Sequence, residues 1–204
     1  MDKRILIASV GRYGSTAEVA EAIGQELGRC GAVVETCPAR DVTDISSHDA
    51  VIVGSAIYFG KWLPEAVKFV ETHKETLSRI PVAYFLTCLE LTKVPEEKGR
   101  DASIYLDPLL GNPPRVEGKL SMWEKAHLLS GFMDSVLEKA PQVKPVSIAV
   151  FRGKLDYSKL SFTHWLVMKL IWLFYKRAPE GDFRNSEAIH SWATTLCPVL
   201  LQQR

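Results

Sequence analysis

Residues 8–19 read ASVGRYGSTAEV. An apolar run stops at Ser9, Gly11 and Gly14 follow with the hydroxyls of Ser15 and Thr16, and a helical pattern begins at once. A helix N-terminus offers unpaired N–H groups and the positive end of a dipole, so it attracts phosphate. Glycine lets the backbone approach a ligand closely and adopt positive φ. The hydroxyls of Ser9, Ser15 and Thr16 can donate to phosphate oxygens, and consecutive N–H groups in GRYGST can form an anion nest. The loop lacks the GKS or GKT of a nucleoside-triphosphate loop, and its GxxG spacing departs from the GxGxxG of dinucleotide folds. The same residues also suit a plain strand-to-helix turn with Ser15 as N-cap, and composition alone leaves both readings open.

The elements that must position this loop alternate along the chain. Apolar runs at 4–10, 32–38, 49–56, 81–89 and 143–153 read as strands, and the periodic segments 15–29, 63–77 and 119–140 read as helices, with a last helix from Ser186. This order predicts an α/β doubly wound parallel sheet of five strands with helices on both faces. Ligands of such sheets lie beyond the carboxyl ends of the strands, which singles out residues 9–16, 54–62 and 87–93. Two segments exceed the minimal plan: a long connection over 90–118, and an insertion over 154–184 before the last helix.

The 204 residues suit a single domain over 1–204, and a net charge of +1 gives no basis for a nucleic-acid footprint. Cys30, Cys37, Cys88 and Cys197 show no CxxC pairing and no metal-ligand spacing, so the expectation is four free thiols, no metal and a reducing cytoplasm. The N-terminus does not read as a signal peptide, and no apolar stretch is long enough to span a bilayer.

SVGRYGSTAEVAEAI resembles the phosphate loop of flavodoxin-like proteins, GSAIYFGKWLPEAVKFV the loop that wraps one side of the flavin ring, and LTCLELTK the loop that covers the other. The resemblance implies FMN as cofactor. It implies phosphate contacts from Ser9, Gly11, Arg12, Tyr13, Gly14, Ser15 and Thr16. Ring contacts would come from Ser55, Ala56, Ile57, Tyr58, Phe59 and Gly60, with Trp62 flanking, and from Thr87, Cys88 and Leu89 opposite. FRGKLDYSKLSFTHWLVMKLI, and more faintly GDFRNSEAIHSW, resemble the menaquinone-dependent protoporphyrinogen oxidase family. That implies oxidation of a porphyrinogen, with electrons passed to a quinone. Candidate cations for the propionates are Lys61, Lys154, Lys159, Lys169 and Arg184. The tail is less basic at SKLSF than that family's, and the third-strand loop lacks its usual basic residue. The alternatives are a flavodoxin-type electron carrier, an NAD(P)H-dependent quinone or flavin reductase, and an interaction module without flavin.

The five histidines form no sequence cluster, and none is expected to be a catalyst. Glu90 and Asp101 suit surface roles better than a proton relay, and Asp182 with Arg184 a local ion pair. Residues 161–177 are apolar nearly all round, from Trp165 through Ile171, Trp172, Phe174 and Tyr175, with Lys169, Lys176 and Arg177 and no acidic residue. Such a helix is buried, self-associated in a homodimer, or laid on an anionic membrane. The last option would make the protein peripheral on the inner face of the cell membrane.

Overall fold

The computed structural model describes residues 2–94, 102–175 and 180–201. The sheet is built from β1 (Arg4–Val10), β2 (Val33–Pro38), β3 (Ala50–Tyr58), β4 (Lys61–Trp62), β5 (Val82–Cys88), β6 (Ser103–Leu106) and β7 (Ser147–Arg152). The strand order is β2-β1-β3-β5-β7-β6, parallel throughout, with β4 turning back antiparallel on β3. The fold class is the one expected, but a sixth parallel strand extends the five. β6 lies inside the long connection and pairs with β7 at the sheet edge, from Ser103 opposite Ser147 to Leu106 opposite Val150. Its four residues, SIYL, suit a strand but are too few, inside a long proline-bearing connection, to announce one.

Helices cover both faces. α1 (Ser15–Arg29) and α7 (Ser186–Leu201) lie on one; α2 (Pro64–Thr72), α3 (Lys74–Leu77), α4 (Met122–Ala126) and α5 (Leu129–Lys139) belong to the stretches between the later strands. The strands alternate between two cores. Ile5, Ile7 and Ile52 join Val19, Ile23, Leu27, Ile189, Trp192 and Leu196, while Leu6, Val51 and Val53 join Phe69, Val70, Phe132, Met133 and Val136. The expected 63–77 and 119–140 helices are each broken in two, at His73 and at His127–Leu128.

The four expected free thiols are corrected to two. Cys30 closes α1, Cys197 lies on α7, and the packing of these helices brings their Cα atoms to 6.2 Å in a disulfide; Cys37 and Cys88 remain free. Their separation of 167 residues explains why no sequence spacing announced the pair.

After β7 a short ribbon forms between β8 (Lys154–Leu155) and β9 (Gly181–Asp182), and it closes the base of an excursion that carries α6 (Phe162–Tyr175). α6 is not buried under α7. Its described outer side chains Phe162, Leu166, Leu170 and Leu173 are exposed, Phe162 to 75%. The side chains of Ile171, Trp172, Phe174 and Tyr175, and residues 95–101 and 176–179 with Asp101, Lys176 and Arg177, lie outside the described residues. Among the described residues no helix is long and apolar enough to cross a membrane.

Candidate functional site

Parallel order places the ends of β1, β3, β5 and β7 at one edge of the sheet. There a cavity of about 580 Å³ opens, within the size range of cofactor sites. From the first loop Arg12, Tyr13, Ser15 and Thr16 line it; from the third-strand loop Ala56, Ile57, Tyr58, Phe59 and Gly60; from the end of β5 Thr87, Cys88 and Leu89. Ser9, Gly11, Gly14 and Ser55 are not among the lining residues, Gly11 and Gly14 being exposed. Ser55 is fully buried, donates to the Ala56 carbonyl at 2.9 Å and accepts the Leu63 N–H at 3.0 Å, so it holds the loop rather than facing the cavity.

α1 begins without a capping side chain. The residue before it is Gly14 at φ 90°, so Ser15 is the first helical residue and not the N-cap. Thr16 turns inward, its hydroxyl 3.0 Å from that of Thr87, which pins the first loop to the end of β5. Gly11 packs so closely on Thr16 that a Cβ there would lie 2.7 Å from the threonine Oγ1. Phe59 and Gly60 both have positive φ, at 50° and 74°. At Gly60 a Cβ would collide with the Ala126 carbonyl oxygen, so the third-strand loop rests on α4 through a contact that only glycine allows. Phe59 points outward, 76% exposed. Trp62, expected beside the ring, is instead core: its indole meets the buried Tyr84 ring edge-on at 5.3 Å.

The electrostatics are mild. Arg12 holds its guanidinium 5.4 Å from the centre of the Tyr58 ring. Burial, with Tyr13 adding to it and Arg12 opposing, pushes the Tyr58 hydroxyl up to about 12. Burial, then the nearby Asp107, pushes the Cys88 thiol up to about 12, so it stays protonated at neutral pH. Asp107, fully buried, accepts Asn185 Nδ2 at 3.0 Å, the Leu109 N–H at 3.0 Å and the Arg152 N–H at 3.3 Å, locking the end of β6 to β7 and to the entry of α7.

Sequence reasoning missed the outer walls. Trp123 and His127 approach from α4 and its cap; Arg152 comes from the end of β7; His164, Val167 and Met168 come from α6. His164, Val167 and Met168 are spaced i, i+3, i+4, so one face of α6 turns to the cavity while Phe162, Leu166, Leu170 and Leu173 turn to solvent. The Tyr13 hydroxyl sits 2.6 Å from His164 Nδ1, and the His164 ring lies 6.0 Å from that of Tyr58, so α6 is attached to both cofactor loops. Of the five candidate cations Lys154 and Lys159 line the cavity. Lys61 is exposed on β4 and Lys169 rests over the Tyr157 ring at 4.7 Å. Arg184 is bound by Asp182 and Glu18, first of all by Asp182, and both hold it more firmly protonated than usual.

These residues fit FMN. An uncapped helix N-terminus with two hydroxyls lines the cavity for a phosphate, and Tyr58 from the third-strand loop and Thr87, Cys88 and Leu89 from the end of β5 line it where a flat ring would lie. No curated protein matches the chain. Among solved structures it is similar to the flavodoxin of Megasphaera elsdenii in its two-electron reduced state (14% identity, 94% of this chain and 98% of that one, TM-score 0.47). It is also similar to a cysteine-to-alanine mutant of flavodoxin from Pseudomonas aeruginosa (11%, 98% and 99%, 0.47). Against rubredoxin oxygen:oxidoreductase of Desulfovibrio gigas the identity is 12% and the TM-score 0.44, and the chain, covered to 98%, spans only 36% of that protein's length. A family model described as the flavodoxin domain matches residues 6–180, and the chain therefore belongs to the flavodoxin-domain family, whose cofactor is FMN.

Proposed function

We propose that this flavoprotein is an enzyme that oxidises a flat, largely apolar substrate bearing anionic groups, protoporphyrinogen IX being the first candidate, and that the electrons leave to a lipid-soluble quinone. The observation that carries the reading is the second wall of the cavity. An electron carrier needs little more than a flavin edge near solvent. Here the 154–184 excursion adds an apolar face, Leu160, Val167 and Met168, beside the cations Arg152, Lys154 and Lys159.

FMN, when bound, supplies two-electron acceptance from a donor and release to an acceptor. The start of α1 would hold its phosphate, and Tyr58 with Thr87, Cys88 and Leu89 would flank its ring. Lys154 and Lys159 would meet substrate carboxylates, and α6, tied to Tyr13, would shut water from the apolar side. The outer face of α6, apolar and next to Lys159 and Lys169, would meet an anionic membrane where a quinone is found.

The test is an anaerobic absorption spectrum of purified protein, followed by protoporphyrinogen IX and then by a menaquinone analogue in anionic vesicles. Flavin bands that bleach with the porphyrinogen and return with the quinone, in protein that sediments with the vesicles, are expected. Bleaching only by a nicotinamide donor overturns the substrate in favour of a reductase. Bleaching by neither leaves an electron carrier.

A further inference from the structure

Resting on that reading, we propose that His127 is the proton acceptor of the oxidation, taking through Nε2 the proton that a pyrrole N–H releases as hydride leaves the adjoining methylene bridge.

His127 caps α4 on the cavity wall. Its Nδ1 lies 2.7 Å from the Trp123 carbonyl oxygen. A carbonyl has no proton to give, so Nδ1 donates. A neutral imidazole carries a single N–H, which leaves the lone pair on Nε2. The ring orientation is set from several sides. It stacks on the Trp123 indole at 4.6 Å and 23°, and it meets Phe132 edge-on at 6.4 Å. Trp123 is itself fixed, its Nε1 donating to Glu90 Oε2 at 3.0 Å. The His127 carbonyl accepts the Thr92 N–H at 2.9 Å, which ties this wall to the loop after β5. Among the described residues the one side-chain hydrogen bond of His127 is that of Nδ1.

Other titratable groups of the cavity suit the role less well, and the Glu90 carboxylate is engaged by the Trp123 Nε1–H. His164 uses Nδ1 to hold Tyr13. The Cys88 thiol and Tyr58 hydroxyl keep their own protons at neutral pH. Asp156 accepts Ser158 Oγ at 2.6 Å and its N–H at 3.1 Å, bonds that hold its carboxyl below the usual range and make it a weak base. His127 presents a lone pair on an immobilised ring.

The step balances. A C–H bond of a methylene bridge between two pyrroles breaks and its electron pair leaves as hydride for the flavin. The pyrrole double bonds shift one place so that the bridge carbon becomes doubly bonded to the ring, and the pyrrole N–H bond breaks, its pair remaining as the lone pair of the new C=N nitrogen. The proton bonds to Nε2, and the imidazolium then returns it to water while a quinone re-oxidises the cofactor.

Two measurements test the role. Nitrogen-15 NMR of histidine-labelled holoprotein reads the tautomer without turnover: a neutral His127 protonated at Nδ1 is expected, and one protonated at Nε2 overturns the proposal. Rapid-mixing reduction by protoporphyrinogen IX then compares wild type with H127N, whose amide nitrogen can still donate to the Trp123 carbonyl but offers no lone pair at the Nε2 position. A loss on the order of 100-fold is expected with the flavin spectrum and FMN affinity kept. In H127A, added imidazole should restore part of the rate. H127N reduced as fast as wild type, or H127A deaf to imidazole, overturns the role alone. Wild-type flavin that protoporphyrinogen leaves oxidised overturns the function above and this role with it.

Discussion

Single residues decide how closely the loops of the site can approach one another, and Gly60 is the sharpest case. Its φ of 74° is left-handed, and its missing Cβ leaves room for the Ala126 carbonyl oxygen. A methyl group there meets two penalties at once. The left-handed backbone costs about 1–2 kcal/mol, and the backbone contact must open as well. The loop carrying Tyr58 and Phe59 would then lift from α4. Gly60→Ala should weaken FMN binding by at least tenfold, read by flavin fluorescence quenching on titrating the apoprotein, while the far-ultraviolet circular dichroism stays that of the wild type. Affinity within twofold of wild type would show that the loop does not depend on its seat against α4.

At the scale of elements, the short helix α4 exists because Ser121 and Glu124 form a reciprocal capping box, and because Glu124 also accepts the Arg115 N–H at 2.7 Å. Those bonds, led by the Ser121 hydroxyl, hold the Glu124 carboxyl down at about 2, against an ordinary value of 4.5. With a depressed pKa, the stabilisation is complete above the unfolded value and is lost as pH falls through the folded one. Between pH 4.5 and 2, therefore, α4 should loosen and Trp123 should leave its stack on His127. Tryptophan fluorescence should change over that window in the wild type and should already be changed in Glu124→Gln at neutral pH, with little further response to acid. A variant that matches the wild type throughout would mean that the box does not hold α4. This element also marks the limit of sequence reading. The five strands and the glycine loop announce themselves through local apolar runs and turn residues, which is why the alternation is legible. β6 is a few residues long inside a proline-bearing connection, α4 reads only as the start of one longer helix, and Trp123, His127 and His164 reach the cavity only through contacts made far along the chain. A histidine has no sequence signature until its neighbours in space are known.

At the scale of the whole molecule, α1 connects the cofactor loop to the far end of the sheet. It starts at Ser15 beside the cavity and ends at Arg29, where Cys30 is bonded to Cys197 of α7. α7 in turn packs Trp192 against Phe151 at 5.7 Å and donates the Trp192 Nε1–H to Ser147 at 2.9 Å, so both helices share one core with β7. The disulfide therefore closes a loop containing nearly the whole sheet. A cross-link over so long a loop restricts the unfolded chain far more than the folded one, typically worth about 2–5 kcal/mol. Because the sheet is joined by strand pairing and both cores by apolar packing, its removal should lower stability and leave the cavity standing. Thiol titration of the protein unfolded without reductant should find the two free groups of Cys37 and Cys88, and all four after reduction. The Cys30→Ser, Cys197→Ser double variant should melt several degrees lower yet bind FMN as the wild type does. Four reactive thiols before reduction would show that the pair is open in solution, and lost FMN binding in the variant would show that the cross-link reaches the cofactor loop through α1.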